Sequence, residues 1–240
     1  MRRKVEPLLC ELHAHTRWSD GALTLPELVD LYGQNGFDVL AATDHVVRRD
    51  PGLPASHVHA GNHAAYLAEI RVQAERARRE YDLLLLPGLE LTYDDPDPAA
   101  AAHAVAVGCR TFVGVDDGPE TALARARDAG AALIAAHPYR QESAGRSPAR
   151  PTLRFSRDWR ELRQHVDRWE LFNRYELFAW VAERGLHAVA TGDFHRPEHL
   201  QGWKTLLPCG KSEEAVVDYL RSGRPAFLTR VDETPLRQAA

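Results

Sequence analysis

Short apolar runs in this chain repeatedly end in an imidazole or a carboxylate, and that arrangement restricts the fold more than any other feature. Leu8-Leu9-Cys10-Glu11-Leu12 runs into His13-Ala14-His15, and Val39-Leu40-Ala41-Ala42 into Thr43-Asp44-His45. Leu83-Leu84-Leu85-Leu86 delivers Pro87-Gly88-Leu89-Glu90, Ala131–Ala136 ends at His137, and Ala188-Val189-Ala190-Thr191-Gly192 leads to Asp193-Phe194-His195. Short continuous apolar runs bounded by turn residues are the mark of strands buried on both faces. Side chains alternate along a strand, so His13 and His15 share a face, as do Asp193 and His195. Ligand-type side chains at the ends of buried strands are what a metal site on a rigid scaffold requires.

Helical patterns fill the intervals. Thr24-Leu25-Pro26-Glu27 reads as an N-cap with early Pro and Glu, opening a helix through about Tyr32. Leu67, Ile70, Ala74, Ala77 and Tyr81 recur at helical steps and predict a long helix over Asn62–Tyr81. Further helices are expected near Thr121–Ala129, Trp159–His165, Glu176–Arg184 and Ser212–Arg221, with strands at His103–Gly108, Trp169–Asn173 and Ala226–Thr229. Alternating strands and helices point to an α/β protein built on a parallel sheet. With 240 residues, 44% of them hydrophobic, the chain can bury one large core, and 1–240 is expected to be a single domain.

Composition removes several classes. A formal charge of -4 gives no global basic field for duplex nucleic acid, although arginine-rich patches remain open. Cys10, Cys109 and Cys209 lie far apart with no Cys-x-x-Cys, so buried reduced thiols of a cytoplasmic protein are expected. Met1-Arg2-Arg3-Lys4 is followed by too short an apolar run for a signal peptide, and no run is long enough to span a membrane.

Collected, the candidate ligands are His13, His15, Asp20, His45, Glu90, His103, His137, Asp193 and His195, with Asp20 turned back by Ser19-Asp20-Gly21. Nine donors exceed what one four-coordinate ion uses and favour two or three divalent ions. The ordered set His-x-His, Ser-Asp-Gly, Thr-Asp-His, a strand-end Glu, two spaced His and a closing Asp-x-His resembles the PHP (polymerase and histidinol phosphatase) domain family. The likeness runs from His13 to the C-terminus. It implies a distorted (β/α)7 TIM-like barrel and a trinuclear site of Zn, Mn or Fe. By this resemblance, His13, His15, Glu90 and Asp193 hold one ion, Glu90, His103 and His137 a second, and Asp20, His45 and His195 a third. Phe194 departs from the family, which usually has a small residue there.

A phosphate ester fits the charge. Three divalent ions set against three carboxylates and a bridging hydroxide leave about +2, matched to a phosphomonoester dianion. Arg17, Arg140 and Arg196 lie within a few residues of candidate ligands and are expected to bind phosphate oxygens, with Arg140 favoured. Asp44 is expected to assist catalysis by orienting a ligand. Trp18, Tyr139, Phe194 and Trp203 are candidates for stacking on a substrate ring. His57, His59 and His63 are expected on a surface loop or lid, and His165, His187 and His199 to be structural or solvated. The expected reaction is hydrolysis of a small phosphomonoester by the metal-bridging hydroxide. Three rivals stay open: exonuclease or diesterase action on short single-stranded nucleic acid, amidohydrolase-type hydrolysis, and a non-catalytic metal-stiffened domain. Lysine occurs only at Lys4, Lys204 and Lys211, away from the mid-chain position where many amidohydrolases bridge their metals. Oligomeric state is not legible.

Overall fold

The fold is described from a computed structural model covering residues 6–49, 56–140 and 152–232. Seven strands follow one another around a curved sheet: β1 (Leu8–Glu11), β2 (Val39–Ala42), β4 (Leu84–Tyr93), β5 (Ala102–Val107), β6 (Ala132–Ala135), β7 (Arg168–Asn173) and β9 (Ala188–Thr191). Just beyond β9 and β1, a parallel bridge between Phe194 and Ala14 joins the last strand to the first. His15 N–H donates to Phe194 O at 2.8 Å and Phe194 N–H to His13 O at 3.0 Å. The ring is a distorted TIM-like barrel.

Four strands lie off this ring. β3 (His45–Val47) continues past β2 and pairs in parallel with the outer half of β4, and β8 (Glu176–Leu177) forms a hairpin with β7. β10 (Gly202–Leu207) runs antiparallel to β1, and β11 (Phe227–Val231) to β10. The Thr205 hydroxyl of β10 accepts from Ala190 N–H of β9 (2.9 Å) and donates to Ala190 O (2.7 Å), so β10 lies across the seam between β9 and β1.

Helices α1 (Leu25–Gln34), α2 (His63–Tyr81) and α3 (Pro119–Asp128) connect successive strands. The Thr24–Glu27 capping box starts α1 as its sequence predicts, and Leu25, Leu28, Val29 and Tyr32 form its buried stripe. A second apolar cluster fills the barrel: Leu8, Cys10, Val39, Leu86, Val107, Ile134 and Val189 pack with Val216 and Leu220 of α7 (Glu213–Arg221). Several of these strand residues lie at the amino ends of parallel strands. α7 therefore covers that mouth and leaves the carboxyl ends open, where barrel enzymes place their chemistry.

Some expectations need correction. β5 is antiparallel to both β4 and β6, not part of a uniformly parallel sheet. Residues 94–101 join β4 to β5 as a loop, and an antiparallel neighbour needs no helical crossover. β4 runs on to Tyr93, so Glu90 sits inside a strand, opposite His45 of β3, and not at a strand end. The helix expected over Glu176–Arg184 is split: Glu176 and Leu177 pair with β7, and α6 spans Ala179–Glu183. The helix expected near Trp159–His165 becomes two short turns, α4 (Arg154–Arg157) and α5 (Trp159–Leu162). The loop expected over 142–150 lies outside the described residues. Cys10, Cys109 and Cys209 are buried free thiols. No helix among the described residues is long and apolar enough to cross a membrane.

Candidate metal centre

The closing bridge of the barrel brings His13 and His15 beside Asp193 and His195. A buried ion pair holds this corner: Lys204 Nζ lies 2.8 Å from Glu11 Oε2, with neither side chain exposed. Glu11 Oε1 also accepts from His13 N–H (3.2 Å) and Gly192 N–H (2.8 Å), and Oε2 from Tyr32 OH (3.0 Å). Asp20 returns toward the histidines because Gly21 packs on the His15 carbonyl, where a Cβ would lie 2.4 Å away.

Three clusters result. His13 Nε2 lies 3.5 Å from Glu90 Oε2 and 3.6 Å from Asp193 Oδ1, and His15 Nε2 lies 3.4 Å from each of those oxygens. The other Glu90 oxygen, Oε1, is 3.2 Å from His103 Nδ1 and 3.4 Å from His137 Nε2. Asp20 Oδ1 is 3.4 Å from His45 Nε2 and 3.2 Å from His195 Nε2. Two donors bound at about 2.1 Å in tetrahedral geometry lie about 3.4 Å apart. These spacings are those of donors converging on shared cations. His15 also stacks on both His45 and His195 at 4.3 Å and belongs to the third cluster as well as the first.

The donors are held by groups on their far sides. Glu170, fully buried in β7, accepts from or faces His13 Nδ1 (2.9 Å), Thr191 OH (2.6 Å), His137 N–H (2.6 Å) and Asn173 Nδ2 (3.0 Å). Asp94 lies 3.0 Å from His103 Nε2, whereas His45 Nδ1 lies between Thr92 Oγ1 (2.7 Å) and Glu90 Oε2 (2.6 Å) at the centre itself. Asp193 divides its oxygens: Oδ1 faces the histidines while Oδ2 accepts from Arg174 Nη2 at 2.9 Å. His137 and Asp193 both hold left-handed backbone, at φ 27° and 41°. Such conformations cost on the order of 1–3 kcal/mol in a non-glycine residue, and they cluster at functional sites.

Buried polar atoms left without hydrogen-bond partners test whether cations fit. Among the described residues these include His13 Nε2, His15 Nε2, His103 Nδ1 and both oxygens of Glu90, all aimed into the same space. The electrostatics agree. Burial alone would lower the pKa of His13, His45 and His103, but the carboxylates around them win and raise all three, His103 to about 9. Burial also opposes ionisation of Glu90, yet His45 and His13 hold its carboxyl well below the usual range. His15 is lowered to about 3 by burial, with His45 and His195 adding to it, and is a neutral donor. The donor set favours positive charge at its centre and accommodates divalent ions.

The clusters open on a cleft of about 690 Å³. Of the residues read from the sequence as substrate contacts, Arg196 lines it. Arg17 instead bonds the Ala22 carbonyl (3.0 Å), and Arg140 pairs with Glu183 (3.6 Å) over the Trp180 ring. Neither lines the cleft among the described residues. Asp44 accepts from Thr16 N–H (2.8 Å), Thr16 OH (2.9 Å) and Ser19 OH (2.6 Å). Its carboxylate reaches a ligand side chain through Ser19, whose hydroxyl lies 3.4 Å from His15 Nδ1, and its backbone carbonyl accepts from Glu90 N–H at 3.1 Å. Phe194 is fully buried against Tyr32, and Trp18 packs on Tyr66 and donates to Glu69, so neither is free to stack; Tyr139 lines the cleft.

His63, expected on the surface, is buried at the start of α2 against Phe112, whereas His59 is exposed. His199, expected to be structural or solvated, lines the cleft and faces Arg174 Nη1 at 3.3 Å. Sequence reasoning missed Glu170, Asp94 and Arg174. The one available signal was a glutamate inside the apolar strand Trp169-Glu170-Leu171, a buried carboxylate in need of partners.

No protein-family model and no curated protein matches the sequence. Solved structures do match the fold. One is a two-domain protein from Bacteroides vulgatus containing a predicted PHP-like metal-dependent phosphoesterase, with 21% identity and a TM-score of 0.62 over 93% of this chain and 64% of that one. This chain thus spans a little under two thirds of that protein's length. Another is an amidohydrolase from Chromobacterium violaceum with bound sulfate and no metal, with 19% identity and a TM-score of 0.52 over 78% of this chain and 88% of that one. The chain shares its fold with that PHP-like protein and, over a smaller part of its length, with the amidohydrolase.

Proposed function

We propose that the chain is a metal-dependent phosphoesterase that hydrolyses a small phosphomonoester. The observation that carries this reading is the fusion of two ligand clusters through the two oxygens of Glu90, beside a third at Asp20, under a cleft whose wall carries Arg174 and Arg196. His13, His15, Glu90 and Asp193 would hold one divalent ion, Glu90, His103 and His137 a second, and Asp20, His45 and His195 a third. When bound, such ions supply an acidified water as nucleophile and neutralise charge on the phosphoryl oxygens.

The chain's own contribution is positioning. The Arg196 side chain makes no ion pair or hydrogen bond among the described residues, and is a cation available to a dianion. Arg174 is tied to Asp193 by one terminal nitrogen and holds its charge at the cleft wall. Glu170 fixes the His13 ring and the His137 backbone, so that their donor atoms need no rearrangement during turnover.

The test is release of inorganic phosphate with added Mn²⁺ from nucleotides, bisphosphorylated nucleotides, sugar phosphates, histidinol phosphate and a short 5′-phosphorylated RNA. Turnover of a small ester is the expected result. No release from any of them, with metal shown to be bound, would overturn it.

A further inference from the structure

The β7–β8 hairpin is built in a way the metal centre does not require. Asn173 pairs with Glu176, leaving Arg174 and Tyr175 as a two-residue turn, and Arg174 takes left-handed backbone at φ 54° without being glycine. β10 clamps this turn. Trp203 N–H donates to the Arg174 carbonyl at 2.9 Å, and Gly202 approaches so closely that a Cβ there would lie 2.8 Å from that oxygen.

Two ring contacts flank the turn. Phe172 lies against Trp203 with centroids 4.6 Å apart and planes 19° from parallel, Trp203 is the register partner of Arg230, and the Arg230 guanidinium sits 5.4 Å from the Tyr175 centroid. Arg230 also pairs with Asp232 at 2.6 Å on the surface. Tyr175 stands on the cleft wall beside the arginine that binds Asp193, and it is 52% exposed. A large aromatic side chain on a turn whose backbone β10 fixes, left open to a cleft, is a stacking surface without its ring partner.

We infer that Tyr175 is a specificity residue that stacks on a planar heterocycle in the alcohol part of the substrate, so that the preferred ester is nucleotide-like. Arg174 and Arg196 would meet the phosphate on the same wall. The inference rests on the phosphoesterase reading for the dianion, but the ring contact can be tested without turnover.

The probes are two non-hydrolysable methylenephosphonates, one of adenosine and one of ribose, which share sugar and charge and differ in the ring. Their affinities are measured by calorimetry in Mn²⁺ for wild type, Tyr175→Ala and Tyr175→Phe. Wild type should prefer the adenosine compound roughly tenfold. Tyr175→Ala should erase that preference while leaving ribose phosphonate affinity unchanged, and Tyr175→Phe should keep it. Equal affinity of wild type for both compounds, or a preference that survives Tyr175→Ala, overturns the inference. A preference that Tyr175→Ala abolishes, in a protein that releases phosphate from no ester, would instead overturn the phosphoesterase reading and leave the ring site standing.

Discussion

Glu90 carries two carboxylate oxygens into the space between His13, His15, His103 and His137 and is itself fully buried. Glu90→Gln keeps the volume but removes the charge and replaces one donor with an amide. Replacing partners outside a ligand shell typically costs about 10–100-fold, so losing this shared ligand should lower activity by at least about 100-fold. Bound metal per chain, read by elemental analysis, should fall with it; full metal content and full turnover in the variant would sink the assignment. His199 offers a pH test. Burial first, then Arg174 and His195, hold its pKa at about 4 against 6.5 for a free histidine. Between those values the unfolded chain takes up a proton that the folded chain refuses, so stability falls as pH drops through this window and the loss is complete below it. His199→Gln retains an acceptor for His195 N–H. In chelator, its melting temperature should therefore drop less than wild type's between about pH 7 and pH 5, and equal drops would contradict the account. At this scale the ligands were legible because strand alternation puts them on one face. Glu170 and Arg174 were not, since their partners lie on other strands and their spacing follows no motif.

At the scale of elements, the seam between β1, β9 and β10 depends on one buried pair. Lys204 and Glu11 are 2.8 Å apart and inaccessible, and Glu11 also gathers the backbone of His13 and Gly192. Lys204→Met removes one charge and strands the other, a change that costs about 3–5 kcal/mol when a buried pair is broken. Denaturant unfolding should show a loss of that order, with part regained on adding Glu11→Gln. A loss below about 1 kcal/mol, typical of a surface pair, would refute the claim that the pair holds the seam. This pair also explains why β10 was not legible. A strand beginning Gly-Trp-Lys does not read as buried until the partner of its lysine is known. The direction of β5 was equally hidden, because hydrophobic periodicity identifies a strand but carries no information on which way it runs. The Arg174–Tyr175 turn lacks the glycine or asparagine that usually marks a left-handed position, so the sequence pattern predicts a helix beginning where a hairpin stands.

For the molecule as a whole, the same residues that form the centre also span the barrel. His13 and His15 follow β1, His45 belongs to β3, Glu90 to β4, His103 to β5, His137 follows β6, and Asp193 and His195 follow β9. Ions held between them would cross-brace strands that are remote in sequence, and an ion that binds only the folded chain stabilises it by mass action. At a free metal concentration of about 100 times the dissociation constant, that gain is about 2.7 kcal/mol per site. For a chain of this size, one such site corresponds to roughly 5–10 °C in melting temperature. Chelation should lower the melting temperature by at least that amount, and Mn²⁺ should restore it. Glu90→Gln should show a smaller gap between its melting temperatures with and without chelator than wild type does, because the carboxylate shared by two clusters is gone while the cluster at Asp20, His45 and His195 remains. A wild-type melting temperature indifferent to chelator, in protein shown to lose metal, would mean that the carboxyl ends of the strands are rigid without ions. The centre would then be an addition to a finished barrel rather than part of its closure.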